Sequence, residues 1–126
     1  MSGGLKPGDA LWIRFPHSEP PKSKICLCVC VEENIFLVIS SKPYKAAPAD
    51  SQLAIYPEEL SILDHTSYLD TSKYYDDFPL REIEKGIRKG VHPLSRSARE
   101  KIIYAVSGQP YLMERVKKKI LRNLSF

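Results

Sequence analysis

The chain is poor in the residues from which most recognisable active sites are assembled. Among 126 residues there are three histidines, three cysteines, two methionines and a single tryptophan. It contains no glycine-rich loop of the kind that cradles phosphate and no HExxH pair of metal-binding histidines. No apolar run approaches the ~20 residues that a membrane-spanning helix needs. The opening residues, MSGGLKPGD, lack the apolar core of a secretion signal. Internal repeats and low-complexity segments are missing too. These absences remove the commonest nucleotide-phosphate, zinc-hydrolase and membrane readings. They lead us to expect a cytoplasmic protein with no membrane contact.

The cysteines do not repair the shortage. Cys26, Cys28 and Cys30 alternate with Leu27, Val29 and Val31. On a strand all three thiols point to one face. At a rise of ~3.3 Å per residue, neighbouring thiols stand roughly 6–7 Å apart. That spacing cannot close a tetrahedral site with Zn–S bonds of ~2.3 Å, nor a disulfide between neighbours. Reduced core cysteines in a reducing compartment are the expectation. We expect no metal and no cofactor.

The length suits one domain over residues 1–126, with core enough to need no staple. Charge is unevenly spread. Residues 81–126 hold 12 Lys+Arg against 4 Glu, whereas residues 1–80 hold 7 against 11 Asp+Glu. A basic tail on an acidic body suits a polyanion or an acidic protein partner, or simply a solvated helix surface.

Periodicity changes along the chain. Lys6-Pro7-Gly8-Asp9 reads as a turn, and residues 10–15 as a strand with Trp12 and Arg14 on one face. A polar loop with Pro20-Pro21 follows. Residues 25–31 are apolar on both faces, which predicts a central strand covered on both sides. Glu32-Glu33-Asn34 turns the chain into a third strand over residues 35–39. A short strand over 52–56 stops at Pro57, and residues 60–70 hold a strand or two around Leu63 and 67–70. Pro79 then suits the first turn of a helix with Leu80, Ile83 and Ile87 on its apolar face, stopped by Gly90. Ser97 and Glu100 form a capping box for a second helix, ended by Gly108 and Pro110. Leu112, Val116, Ile120 and Leu124 line one side of a third. The order predicts an α+β fold: a small barrel over about residues 5–75, with helices over about 79–124 packed on one end or face.

Two histidines could do metal-free work on RNA. One imidazole takes the proton of a 2′-hydroxyl and another protonates the leaving 5′-oxygen. His17, in the first loop, and His65 are the candidates. Lys22 and Lys24 could meet charge growing on phosphate. Hydroxyls of Ser40, Ser41, Thr66 or Ser67 could add hydrogen bonds, and Trp12 or the tyrosines could stack bases. Asp64-His65-Thr66-Ser67 has the letters of a serine triad, but residues this close on one strand cannot take triad geometry. Asp76-Asp77 and Glu58-Glu59 read as solvated pairs.

One stretch resembles a known family. Gly8-Asp9-Ala10-Leu11-Trp12-Ile13-Arg14-Phe15-Pro16 is similar to the opening strand of the PemK/MazF toxins. A polar loop, a hydrophobic strand and a third strand ending in Ser40-Ser41 follow in the family's order. The segment from Leu63 to Asp70 is similar to a later element of those proteins. The resemblance implies an SH3-like barrel, a homodimer, and metal-independent cleavage of single-stranded RNA, blocked by an antitoxin partner. It implies a catalytic role for Ser40. It also implies an arginine at the start of the second strand, where this chain has Lys24, which keeps the charge but lacks the planar fork. The expected site is thus His17, Lys24, Ser40 and His65 for catalysis, with Trp12, Arg14, Lys22, Ser41 and Ser67 contacting RNA. The alternative is a catalytically inactive barrel that binds nucleic acid or an acidic partner through its basic last third. A third possibility is a protein-binding module that docks through its last helix.

Overall fold

The computed structural model describes residues 4–15, 20–45 and 47–125. Five strands lead: β1 (Asp9–Phe15), β2 (Lys22–Cys30), β3 (Ile35–Ser40), β4 (Gln52–Ile55) and β5 (Ser67–Asp70). Helix α1 (Leu80–Lys89), a two-residue strand β6 (His92–Pro93), α2 (Arg96–Ser107) and α3 (Glu114–Leu124) complete the chain. The sheet order is β4-β5-β3-β2-β1-β6. Every pairing is antiparallel. The fold is α+β, and the sheet curls into a half-barrel with β4 and β6 at its edges. Because β6 joins at one edge, the sheet extends beyond the 5–75 region expected for the strands.

β2 is central and buried along residues 25–30, as its two-sided apolar sequence demands. The helices do not gather on one face, as expected, but divide between two. Ala10, Leu27, Leu37 and Ile39 face a core completed by Ala98, Ile102 and Val106 of α2 and by Val116, Ile120 and Leu124 of α3. Leu11, Ile13, Phe15, Cys26 and Phe36 face the other core, closed by Phe78 and by Ile83 of α1. Alternation explains the split: successive residues of one strand feed opposite layers. Leu80, expected on the buried stripe of α1, is instead 46% exposed. It is the first residue of the helix, where the chain is only beginning to meet the sheet.

The cysteines divide as well. Cys28 pairs with Phe36 but Cys30 pairs with Ile35, so the register slips between them. This β-bulge turns Cys30 to the α2/α3 side, while Cys26 and Cys28 stay on the α1 side. The expectation that all three share a face therefore fails by one inserted residue. The bulge frees the Val29 carbonyl, which accepts a hydrogen bond from the Asn123 side chain of α3 at 3.2 Å. Burial pushes the Cys26 and Cys28 thiols up to about 12.

Helix ends follow their chemistry with one shift of register. The N-cap of α2 is Ser95, whose hydroxyl accepts from the Ala98 N–H at 3.2 Å, rather than Ser97. Gly108 closes α2 as expected. Arg99 of α2 reaches the end of α3, donating to the carbonyls of Leu124 at 2.8 Å and Asn123 at 3.3 Å. A cation on those unpaired carbonyls also suits the negative end of the helix dipole. The turn between β2 and β3 needs a left-handed residue, and Asn34 supplies it at φ 52°.

Candidate functional site

A row of paired residues crosses the sheet on its α2/α3 side. Trp12 pairs with Ile25, Ile25 with Ile39, Ile39 with Leu69, and Leu69 with Leu53. Directly paired residues share a face. At one end of the row a cleft of about 400 Å³ opens, with Trp12, Ile25 and Ile39 against it. Trp12 is 43% exposed, the tryptophan of a mostly apolar strand left open to solvent.

The segment between β4 and β5 forms the facing wall. Leu60 and Leu63 are buried and anchor it in the core. Ile62, Asp64 and His65 turn toward the cleft. The Ser67 hydroxyl donates to the His65 carbonyl at 3.2 Å. Nδ1 of His65 lies 2.5 Å from the Asp64 carboxylate. Their side chains are 58% and 93% exposed, so solvent screens the pair and its worth to stability is small. Its chemical meaning is larger. A carboxylate accepting from Nδ1–H leaves Nε2 with its lone pair available to take a proton. The imidazole in turn holds the Asp64 carboxyl below the usual carboxylate range, through the hydrogen bond and its charge.

Most of the residues expected at the site converge here. Trp12, Lys22, Lys24, Ser40, Ser41, His65 and Ser67 all border the cleft. His17 lies outside the described residues. The convergence is not uniform in chemistry. Lys24 pairs with Ile13, on the α1 side of the sheet, and its ammonium stands 5.5 Å from the centre of the Phe15 ring. This lysine thus carries its charge to the opposite face. Lys22 pairs with Phe15, so it shares the face of Lys24 and is exposed at the rim of the cleft. Ser40 pairs with Tyr68, one residue out of phase with the Ile39 row, whereas Ser41 lies beyond the strand end and is exposed. Ser67 is buried and spends its hydroxyl on the loop backbone, so it positions His65.

Arg14 does not border the cleft itself, but alternation sets it beyond Trp12 on the same face of β1. It pairs with Ser23, which does border the cleft. Exposed, and without an ion pair among the described residues, it brings a guanidinium to the side where Lys24 does not. His92 was missed by sequence reasoning. Its Nδ1 lies 3.1 Å from the Ser61 hydroxyl, on the segment that also carries His65. The one signal for it was scarcity, for it is one of three histidines in the chain. The adjacent Asp64 and His65 also pair because they sit in a turn, where neighbouring side chains can meet.

Part of the basic last third is paired with carboxylates. Arg115 and Lys119 of α3 both pair with Glu33, and Lys117 reaches Glu114 at 4.0 Å. Lys101 of α2 bonds Glu59 at 2.8 Å. Of the 117–119 run only Lys118 is without an ion pair among the described residues. Compared with protein-family models, with curated proteins and with solved structures, the chain matches none.

Proposed function

We propose that the chain is a toxin-like endoribonuclease of the PemK/MazF type. It cuts single-stranded RNA without a metal ion, on an SH3-like version of the half-barrel, as a homodimer held in check by an antitoxin-like partner in the cytoplasm. The observation that carries the reading is the Asp64–His65 pair at the mouth of a cleft bordered by Trp12 and Lys22. The opening motif from Gly8 to Pro16 supports it from the sequence side.

In this reading a base stacks on Trp12, over the apolar row of Ile25 and Ile39. Nε2 of His65 takes the proton of the 2′-hydroxyl. The freed oxygen attacks phosphorus, the bond to the 5′-oxygen breaks as that oxygen takes a proton from water, and a 2′,3′-cyclic phosphate is left. Arg14 meets the charge on the non-bridging oxygens, doing what the family arginine does. Asp64 holds the imidazole in the basic tautomer. Its low pKa keeps the carboxylate ionised throughout the range in which an imidazole titrates.

Labelled single-stranded RNA incubated with the protein in EDTA tests the proposal. Cleavage to cyclic-phosphate ends is expected, and His65→Ala lowers its rate about 10²–10⁴-fold. Arg14→Gln weakens RNA binding and reduces the slope of log affinity against log salt by about 0.7, whereas Lys24→Gln leaves that slope nearly unchanged. An absence of cleavage, or a His65→Ala protein that cuts as well as the parent, overturns the nuclease. One observation favours the runner-up, a barrel that binds RNA without cutting it: the Lys24 ammonium lies on the face away from His65. Salt-sensitive RNA binding with no cleavage would establish that reading.

A further inference from the structure

A second cleft, of about 480 Å³, lies between residues 72–77 and the turn that joins α2 to α3. It shares no bordering residue with the first. Tyr74 and Tyr75 line one side, Tyr111 and Met113 the other, and Asp76 and Asp77 also border it. Tyr111 and Met113 are 60% and 57% exposed, unusual for large apolar side chains with a core beneath them.

Both walls are fixed before any ligand arrives. Tyr75 exchanges two backbone hydrogen bonds with Phe36 of β3, at 2.8 and 2.9 Å. Across the cleft, the buried Gln109 side chain donates to the Thr71 hydroxyl at 2.9 Å and accepts from the Tyr111 N–H at 3.3 Å. The Tyr74 hydroxyl, 3.5 Å from the Met113 sulfur, spans the gap. A cavity held open by its own hydrogen bonds imposes little ordering cost on what enters it.

Its chemistry selects for positive charge. Tyrosine faces attract cations, and aspartates accept the hydrogen bonds a cation must replace on leaving water. Burial first, and then the charge of Asp70 among others, raises the Tyr75 phenol to about 12. The cleft already holds a cation of its own, for the Lys73 ammonium stands 5.2 Å from the centre of the Tyr75 ring. Phosphate is disfavoured by the same carboxylates, which separates this surface from an RNA path.

We propose that this cleft receives an arginine side chain from a basic segment of a partner protein, with Lys73 as the internal cation it displaces. A guanidinium is the fitting group: it stacks flat on tyrosine and presents a planar fork to the Asp76 carboxylate. This assignment does not rest on the nuclease reading.

The test is calorimetric titration of the full chain with an acetylated, amidated Gly-Arg-Gly-Arg-Gly peptide, beside its citrulline counterpart. The arginine peptide binds and the citrulline peptide does not. Tyr111→Ala, at an exposed position, weakens binding about 3- to 5-fold. Asp76→Asn also weakens it. Lys73→Gln tightens it by removing the competitor, an effect that a merely structural lysine would not produce. Equal affinity for the two peptides, no detectable binding, or weaker binding by Lys73→Gln overturns the proposal. So does a peptide-free self-association abolished by Asp76→Asn, which would assign the cleft to a second copy of the chain.

Discussion

Gly86→Ala separates helix propensity from packing, and the structure sets the two against each other. Gly86 lies within α1 and is buried against β1. Replacing an interior helical glycine with alanine stabilises an isolated helix by about 0.5–1 kcal/mol. Here, however, a Cβ at residue 86 would stand 2.4 Å from the Trp12 carbonyl oxygen and 3.0 Å from a Leu11 methyl. The first contact is with backbone, which has no rotamer to escape into. Relief requires α1 to withdraw from β1 by about 1 Å, a gap that forfeits a quarter to a half of each dispersion contact it opens. Ile83, fully buried on the same helix, is carried away with it. Overpacking of this kind costs about 1–3 kcal/mol, and the rigid carbonyl puts this site at the upper end. Subtracting the propensity gain leaves a net loss of about 2 kcal/mol. At this chain length that lowers Tm by about 8 °C. Trp12 is the sole tryptophan, so its fluorescence reports the displaced strand directly. Urea melts followed by circular dichroism and by fluorescence measure the loss, with Gly108→Ala as the control. A methyl added at Gly108 would meet no atom within 4 Å, and φ there is negative, so this substitution leaves stability nearly unchanged. A Gly86→Ala protein as stable as the parent, with unaltered Trp12 emission, would refute the close approach of α1 to β1.

Two other perturbations probe the buried polar groups. Thr71 and Gln109 are 1% and 3% exposed, and the Thr71 hydroxyl both accepts from Gln109 and donates to the Ser51 carbonyl. Thr71→Val keeps the shape and leaves the Ser51 carbonyl its bond from the Thr71 N–H, but strands the buried Gln109 donor, a loss of about 1–3 kcal/mol in urea melts that adding Gln109→Leu partly restores. A neutral Thr71→Val would count against the network. For the thiols, burial raises Cys26 and Cys28 from 9.0 to about 12. Their contribution is complete below pH 9, where both states are protonated. Above it the unfolded chain has lost a proton that the folded one keeps. Stability therefore falls by about 1.4 kcal/mol per pH unit for each thiol until pH 12. Native protein at pH 8.5 should resist an aromatic disulfide reagent that reacts at once in guanidinium. Rapid native labelling, or stability flat between pH 9 and 11, contradicts the burial.

The strands were legible where alternation and burial agree. Residues 25–31 are apolar at both parities, which fits only a strand covered on two sides, and β2 has that place. The residues of α3 that recur every four positions are its buried ones. What stayed hidden depends on single-residue shifts in register. The bulge between Cys28 and Cys30 leaves no mark in a run of alternating cysteines and aliphatics, since either parity is apolar there. Ser95 and Ser97 are both plausible caps by composition, and only the place where the chain enters the core chooses between them. β6 was illegible because two residues carry no period.

The same parity argument governs the candidate site. In the sequence Lys24 stands at the place where the resembled family has its arginine, and position alone made it the natural substitute. On a strand, position is not direction. Pairing with Ile13 sends Lys24 to the Phe15 side, while Arg14, two residues beyond Trp12, shares the face on which the cleft opens. A cation that faces away on one strand can thus be matched by a guanidinium on its neighbour, provided the parity is right. Reading charges along a line sees Arg14 and Lys24 as ten residues apart. The β1–β2 pairing instead sets Arg14 opposite Ser23, next to Lys24 but facing the other way. The cation that serves the cleft is decided by which face of the strand it occupies, and under the proposed nuclease reading that makes Arg14, rather than Lys24, the residue on which RNA binding would depend.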